Sequence, residues 1–211
     1  MPHPPGHRDE IKEKIVASAR RLFNRHGFEG VSVDRIMSGA GLTRGGFYSY
    51  FESKSELYTE VLGCFFTDPE WKSCWEGVEV DLKSAEVGPQ VVRAYLSRQH
   101  FEDVENSCPM VALPGDVTRS GAGARRAFET VFKAMVGVLE RSLHSGAGGA
   151  RSNGSAPRRK GASRHSVAQA MAALCIGGMV VARALENRAL ADELRDACMS
   201  VAFELAGWKA K

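Results

Sequence analysis

Cysteine is sparse and unpatterned. Cys64, Cys74, Cys108, Cys175 and Cys198 are odd in number, widely spaced and form no C-x-x-C pair, which fits neither a disulfide framework nor a zinc knuckle. His3 and His7 lie in a Pro/Gly-rich tail and fall short of the three or four ligands a tetrahedral metal site needs. No run of about 18 apolar residues appears, and the opening MPHPPGHRDE has no apolar signal core, so a cytoplasmic protein with reduced thiols and no membrane span is expected. A bulk basic field is also missing: the net charge is +3 over 211 residues, and residues 1–60 hold nine Lys/Arg against eight Asp/Glu. Any nucleic-acid reading therefore rests on local pattern. Neither strand-like alternation nor a repeat of about 20–50 residues is present, which argues against sheets and solenoids. The glycine-rich stretch 146–155 lacks a following GK[ST] and is no phosphate cradle. With no paired carboxylates and no nucleophile beside a histidine, a helical enzyme is the weaker alternative, and neither cofactor nor metal is expected.

What is present is helical periodicity. Ile11, Ile15, Ala19, Leu22 and Phe23 recur at three- and four-residue steps between charges, the signature of an amphipathic helix over residues 8–26. Gly27 is its expected stop, since glycine takes the left-handed conformation at little steric cost. Ser32 can cap a short helix over 33–39, with Asp34 in the first turn where the dipole favours an anion. Gly39, Ala40 and Gly41 then form a tight turn, and Thr43 can cap a third helix to about residue 50. A longer helix follows Ser53, with Leu57, Val61, Leu62 and Phe65 on one stripe until Asp68-Pro69 breaks it. Helices are also expected at 69–82, 88–104, 122–143, 167–184 and 190–206. Residues 145–163 are small, polar and basic, a surface loop with little to bury.

Two short helices joined by a glycine turn and buttressed by a longer one are the parts of a helix-turn-helix reader. In the second helix, two glycines allow close approach to a duplex. Thr43, Tyr48, Ser49 and Tyr50 offer hydroxyls and Lys54 an ammonium suited to phosphates, while Arg44 is the expected base-edge reader. The stretch 15–57 runs F-x-x-x-G-F, then G-V-S-V-x-x-I, then A-G-L-T-R-G-G-F-Y-x-Y-F-x-S-K-x-E-L. It resembles the TetR/AcrR family signature. The resemblance implies an all-α fold, with a three-helix DNA-binding head at 8–53 and a helical ligand-binding and dimerisation body at 54–211. It puts Tyr48 and Lys54 on phosphates and Thr43 at the start of the recognition helix, with Gly45 typical of the family and Phe47 and Phe51 structural. Ser32 either caps its helix or also touches a phosphate. At Gly46 the family often carries a small side chain, so this chain has fewer groups with which to specify bases.

The resemblance further implies a homodimer on a double-stranded DNA operator, an inverted repeat, released by an unidentified small-molecule inducer bound in the body. An activator with the same head stays open as the alternative. Large apolar groups that could line a pocket are Phe65, Phe66, Trp71, Trp75, Tyr95, Phe101, Met110, Phe128 and Phe132. Cys108, just before a possible helix start, is either an electrophile- or oxidant-sensitive thiol or a structural one. For dimerisation the expectation is the last two helices, with Ala168, Met171, Cys175, Gly178, Val181 and Leu185 along one face.

Overall fold

The computed structural model describes residues 7–63, 80–81, 83–145 and 162–209, and every regular element among them is helical. In chain order these are α1 (His7–His26), α2 (Val33–Gly39), the 3₁₀ helix η1 (Arg44–Ser49), α3 (Lys54–Gly63), α4 (Val87–Tyr95), α5 (Arg98–Glu102), α6 (Pro109–Ala112), α7 (Pro114–Arg119), α8 (Ala122–Ser145), α9 (Arg164–Ala184) and α10 (Arg188–Ala206). The helices expected at 8–26, 33–39, 122–143, 167–184 and 190–206 are therefore present with small shifts at their ends. The one expected at 88–104 is instead two, α4 and α5, with the break at Leu96 and Ser97. There Ser97 Oγ accepts from the His100 amide at 3.1 Å and starts the second helix. The helix expected at 69–82 lies almost wholly outside the described residues, as do the Asp68-Pro69 break and most of the expected loop 145–163.

The chain divides into two compact units, one of residues 1–74 with 103–131 and the other of 75–102 with 132–211. In the first, the expected head of 8–53 shares its unit with α3, α6, α7 and the start of α8. Its core is an apolar cluster in which Ile15, Phe23, Ile36, Phe47, Leu57 and Leu62 are fully buried. Phe23 meets Tyr58 edge-on at a centroid distance of 5.3 Å, and Phe28 closes the same aromatic group at 4.9 Å from Tyr58. Polar groups lock the frame: Ser18 Oγ donates to Ile36 O at 2.8 Å, tying α1 to α2. Buried Asn24 donates to Glu105 O and Ser107 O at 3.0 and 2.8 Å. Removing such a buried donor leaves two carbonyls unpaired, at a cost of about 1–3 kcal/mol each.

The second unit is built on the antiparallel pair α9 and α10. Gly178 permits their close approach, since a Cβ there would stand 2.8 Å from Cys198 Sγ. Buried Arg195 donates to Leu96 O at 2.7 Å and lies over the Phe101 ring, and Arg183 donates to Phe101 O, so two guanidiniums satisfy the carbonyls ending α4 and α5. Tyr95 packs edge-on against His100, whose ring nitrogen bonds Tyr95 O at 2.7 Å. Helix α9 is long and apolar enough to cross a membrane by length and composition, with a mean hydropathy of 1.6. The run test applied to the sequence misses it because scattered polar residues interrupt it. Its buried stripe packs on α10, as a core helix does.

Candidate nucleic-acid interface

The turn between α2 and η1 follows from Gly41, whose φ of +73° suits glycine. Gly41 N bonds Ser38 O at 3.0 Å and Leu42 N bonds Met37 O at 2.8 Å, a Schellman closure that directs the chain into η1. At the start of α2, Ser32 Oγ accepts from Arg35 N at 3.2 Å. At the start of α3, Ser53 Oγ accepts from Glu56 N while the Glu56 carboxylate accepts from Glu52 N, which fixes the exit from η1 much as a capping box does.

Between these fixed ends, η1 buries one side and presents the other. Phe47 and Phe51 are in the core. Thr43, Arg44, Gly45, Tyr48 and Ser49 are exposed, Tyr48 at 64% of its surface. Thr43 stands at the N-cap position but makes no side-chain cap bond, which leaves its hydroxyl available. A Cβ at Gly45 would meet nothing within 4 Å and one at Gly46 only Met37 Cε at 3.7 Å, so the protein's own packing demands neither glycine. Two glycines instead weaken the segment as an α-helix, in line with its 3₁₀ form.

The basic groups are held by partners. Arg44 donates to Asp34 Oδ2 at 2.9 Å across the turn, with both side chains more than half exposed. Such a pair contributes about 0–1 kcal/mol and leaves most of the guanidinium's five donors free. Lys54 donates to Phe28 O at 2.9 Å and Val31 O at 3.0 Å and sits 4.2 Å from the centre of the Phe28 ring. It therefore holds the 28–31 turn and retains one N–H for an outside acceptor. Tyr50 is half-buried, with Arg8 stacked over its ring at 5.3 Å, and Arg8 also donates to Ser49 O at 2.6 Å. Sequence reading missed Arg8 and Asp34 as organisers of this face. Their contacts join residues 41 and 10 positions apart, and the first separation leaves no trace in local periodicity.

The expected pocket residues fall in different parts of the chain. Phe65, Phe66, Trp71 and Trp75 lie outside the described residues. Cys108, Met110 and Phe128 belong to the first compact unit and Tyr95, Phe101 and Phe132 to the second. Cys108 does stand immediately before a helix, α6, but is 3% exposed and makes no cap bond. The expected dimer stripe needs correction: Ala168, Met171, Cys175 and Gly178 are fully covered within the chain, because this face of α9 packs on α10. Leu185 is half-buried, and Val181 alone of the six is open, at 50%. The opposite face is the uncovered one, with Ala170, Ala173, Val181 and Ala184 of α9 and Leu190, Ala197, Val201 and Leu205 of α10 exposed.

Residues 15–61 match the family model described as bacterial regulatory proteins, tetR family. The HTH-type transcriptional regulator AcrR of Shigella flexneri is 38% identical over 52 residues, 25% of this chain and 24% of that protein. A negative regulator of the biofilm operon icaADBC, IcaR of Staphylococcus aureus, is 30% identical over 56 residues, 26% of this chain and 30% of its own. The chain spans about half the length, or less, of the curated relatives it matches. For the fold, the crystal structure of a TetR-family transcriptional regulator from Cytophaga hutchinsonii superposes with a TM-score of 0.66 at 19% identity, covering 97% of each chain. With its helix-turn-helix matched by sequence and its helical architecture by structure, the chain carries a tetR-family helix-turn-helix over residues 15–61 within the helical fold of TetR-family regulators.

Proposed function

We propose that the protein is a sequence-specific DNA-binding transcriptional regulator, a repressor that works as a homodimer on an inverted repeat. The observation that carries this reading is the asymmetry of η1: Phe47 and Phe51 are sunk in the core while Thr43, Arg44, Gly45, Tyr48 and Ser49 form an exposed strip. Hydroxyl donors and a guanidinium on a short rigid element suit phosphate oxygens and a guanine edge. Gly45, which no internal packing requires, leaves room for backbone to approach a duplex. Repression is supported by the negative regulator among the relatives.

Two heads are needed to read two half-sites about one helical turn, or a multiple of it, apart. The uncovered apolar face of α9 and α10 supplies the self-complementary surface that a two-fold pair uses. Apolar groups exposed on adjacent helices in this number mark an interaction surface. A small-molecule inducer fits the same reading, provided it binds two conformations with different affinity.

The test is a binding selection from genomic fragments with the purified protein. Enrichment of fragments sharing one inverted repeat supports the reading, and uniform recovery of unrelated fragments contradicts it.

A further inference from the structure

Asp34 is an exposed acid beside the strip of η1 that the regulator reading turns toward DNA. It belongs to the first turn of α2, where an anion suits the helix dipole. The cap of that turn is nevertheless made by Ser32, whose Oγ takes the Arg35 amide. Among the described residues Asp34 makes one hydrogen bond, accepting from Arg44 Nη1 on Oδ2 at 2.9 Å. Its Oδ1 has no donor there, and 56% of the side chain is exposed. A pair this open adds little to folding, so the chemistry of Asp34 and Arg44 lies in what they present outward.

The turn between α2 and η1 makes the pair a fixed unit. Gly41 N to Ser38 O and Leu42 N to Met37 O close the backbone, and Ile36 and Phe47 anchor the two elements in one apolar cluster. The ion pair then ties α2 to η1 on the outer side. With Nη1 given to Asp34, the Nε and Nη2 edge of Arg44 keeps parallel N–H groups, a fork that fits O6 and N7 of guanine. Oδ1 of Asp34 is an acceptor only, the match for a cytosine amine on the major-groove edge. A lone carboxylate would be repelled by the phosphates of a duplex, whereas one neutralised by Arg44 can approach the bases. Gly45 and Gly46 bring no side chains to base edges, so a contribution from α2 adds reading that η1 itself lacks.

We infer that Asp34 is a specificity-determining residue: held by Arg44, it accepts from a cytosine amine on the base pair next to the guanine that Arg44 reads. The inference rests on the regulator reading above and extends its base contacts from η1 to α2. Each half-site then carries neighbouring G·C pairs. The carboxylate takes no part in holding phosphates, so its removal changes preference among sequences and leaves the general grip on DNA intact.

The experiment selects duplexes from a library with a randomised central window, using the full chain as wild type, Asp34→Ala and Asp34→Asn. Each protein is then titrated with the wild-type repeat and with a scrambled duplex. Wild type is expected to enrich an inverted repeat with adjacent G·C pairs in each half-site. Asp34→Ala should lose the cytosine preference at one of them and bind the wild-type repeat about tenfold more weakly, as loss of one base-edge contact does. Its affinity for scrambled DNA should stay the same or rise, since a negative charge has gone. Asp34→Asn, which keeps the size of the side chain and adds a donor beside the acceptor, should weaken the cytosine preference and admit adenine. Thermal melts of both variants should match wild type, which separates loss of reading from loss of folding. If both variants keep the wild-type preference at every position, or lose equally on repeat and scrambled DNA, the inference is overturned while the wild-type repeat, and with it the regulator reading, stands. Recovery of unrelated duplexes by the wild type would overturn both.

Discussion

Arg44 and Lys54 carry similar charge but differ in how the fold holds them. Arg44 is exposed and tethered by a single surface ion pair to Asp34, so Arg44→Ala should leave thermal stability nearly unchanged. Its effect belongs to recognition, a loss of about 1–3 kcal/mol on the cognate site with relaxed preference at one base pair. Equal losses on cognate and scrambled DNA would remove it as a base reader. Lys54 instead bridges Phe28 O and Val31 O. Lys54→Ala should therefore lower both stability, by about 1.5–3 kcal/mol for the charged hydrogen bonds, and the salt slope of DNA binding, by about one unit for one phosphate. Lower stability with an unchanged slope would make it purely structural. Cys175, wholly buried between α9 and α10, has its thiol pushed up by burial to about 12 from an ordinary 9.0. A group protonated in the folded state but ionised in the unfolded one contributes stability below pH 9.0 and loses it as pH rises toward the folded value. The urea midpoint should accordingly fall above that pH, with a slope approaching about 1.4 kcal/mol per unit. Cys175→Ala should flatten the fall, and an equal fall in that variant would contradict the assignment.

At the scale of elements, η1 is where propensity and tertiary context divide the outcome. Two glycines weaken it as an α-helix, yet the buried anchors Phe47 and Phe51 and the flanking caps keep it ordered as a 3₁₀ turn. Gly46 has an ordinary φ and room for a methyl group beside Met37. Gly46→Ala is thus expected to raise stability by about 0.5–1 kcal/mol, measured by chemical denaturation, and a loss of stability would show that the glycine is needed by the fold. Much of this head was legible beforehand: the Ser32 cap, the Gly27 and Gly41 turns and the 33–39 helix follow from residue chemistry within a few positions. The split of 88–104 into α4 and α5 was not, although Ser97 carried a capping signal. The short α7 went unnoticed even though Pro114 marks its first turn. Helix α9 misled for a different reason. Both of its faces are apolar, so periodicity finds two stripes and cannot say which one packs on α10 and which is left open. Only the Gly178 approach to Cys198 settles the inner one.

For the molecule as a whole, the first compact unit joins the helix-turn-helix to residues 103–131, far along the chain. Asn24 and Arg25 of α1 both reach this segment, at Glu105 and Ser107. These contacts join residues about eighty positions apart, and long-range contacts of this kind are invisible to sequence periodicity. The α9 and α10 surface makes an assembly prediction: Val201→Arg, at a position 43% exposed in the single chain, should preserve helicity and thermal melting while shifting the protein to monomer in sedimentation. A variant that stays dimeric would place the interface elsewhere. The central claim is specific reading of DNA by the head. Its most direct measurement is the binding isotherm of an enriched fragment beside a scrambled one of equal length, over a range of salt. The account expects the inverted repeat to bind about a thousandfold or more tighter, with both affinities falling linearly in log salt. Equal affinity for the two fragments at every salt concentration would contradict it.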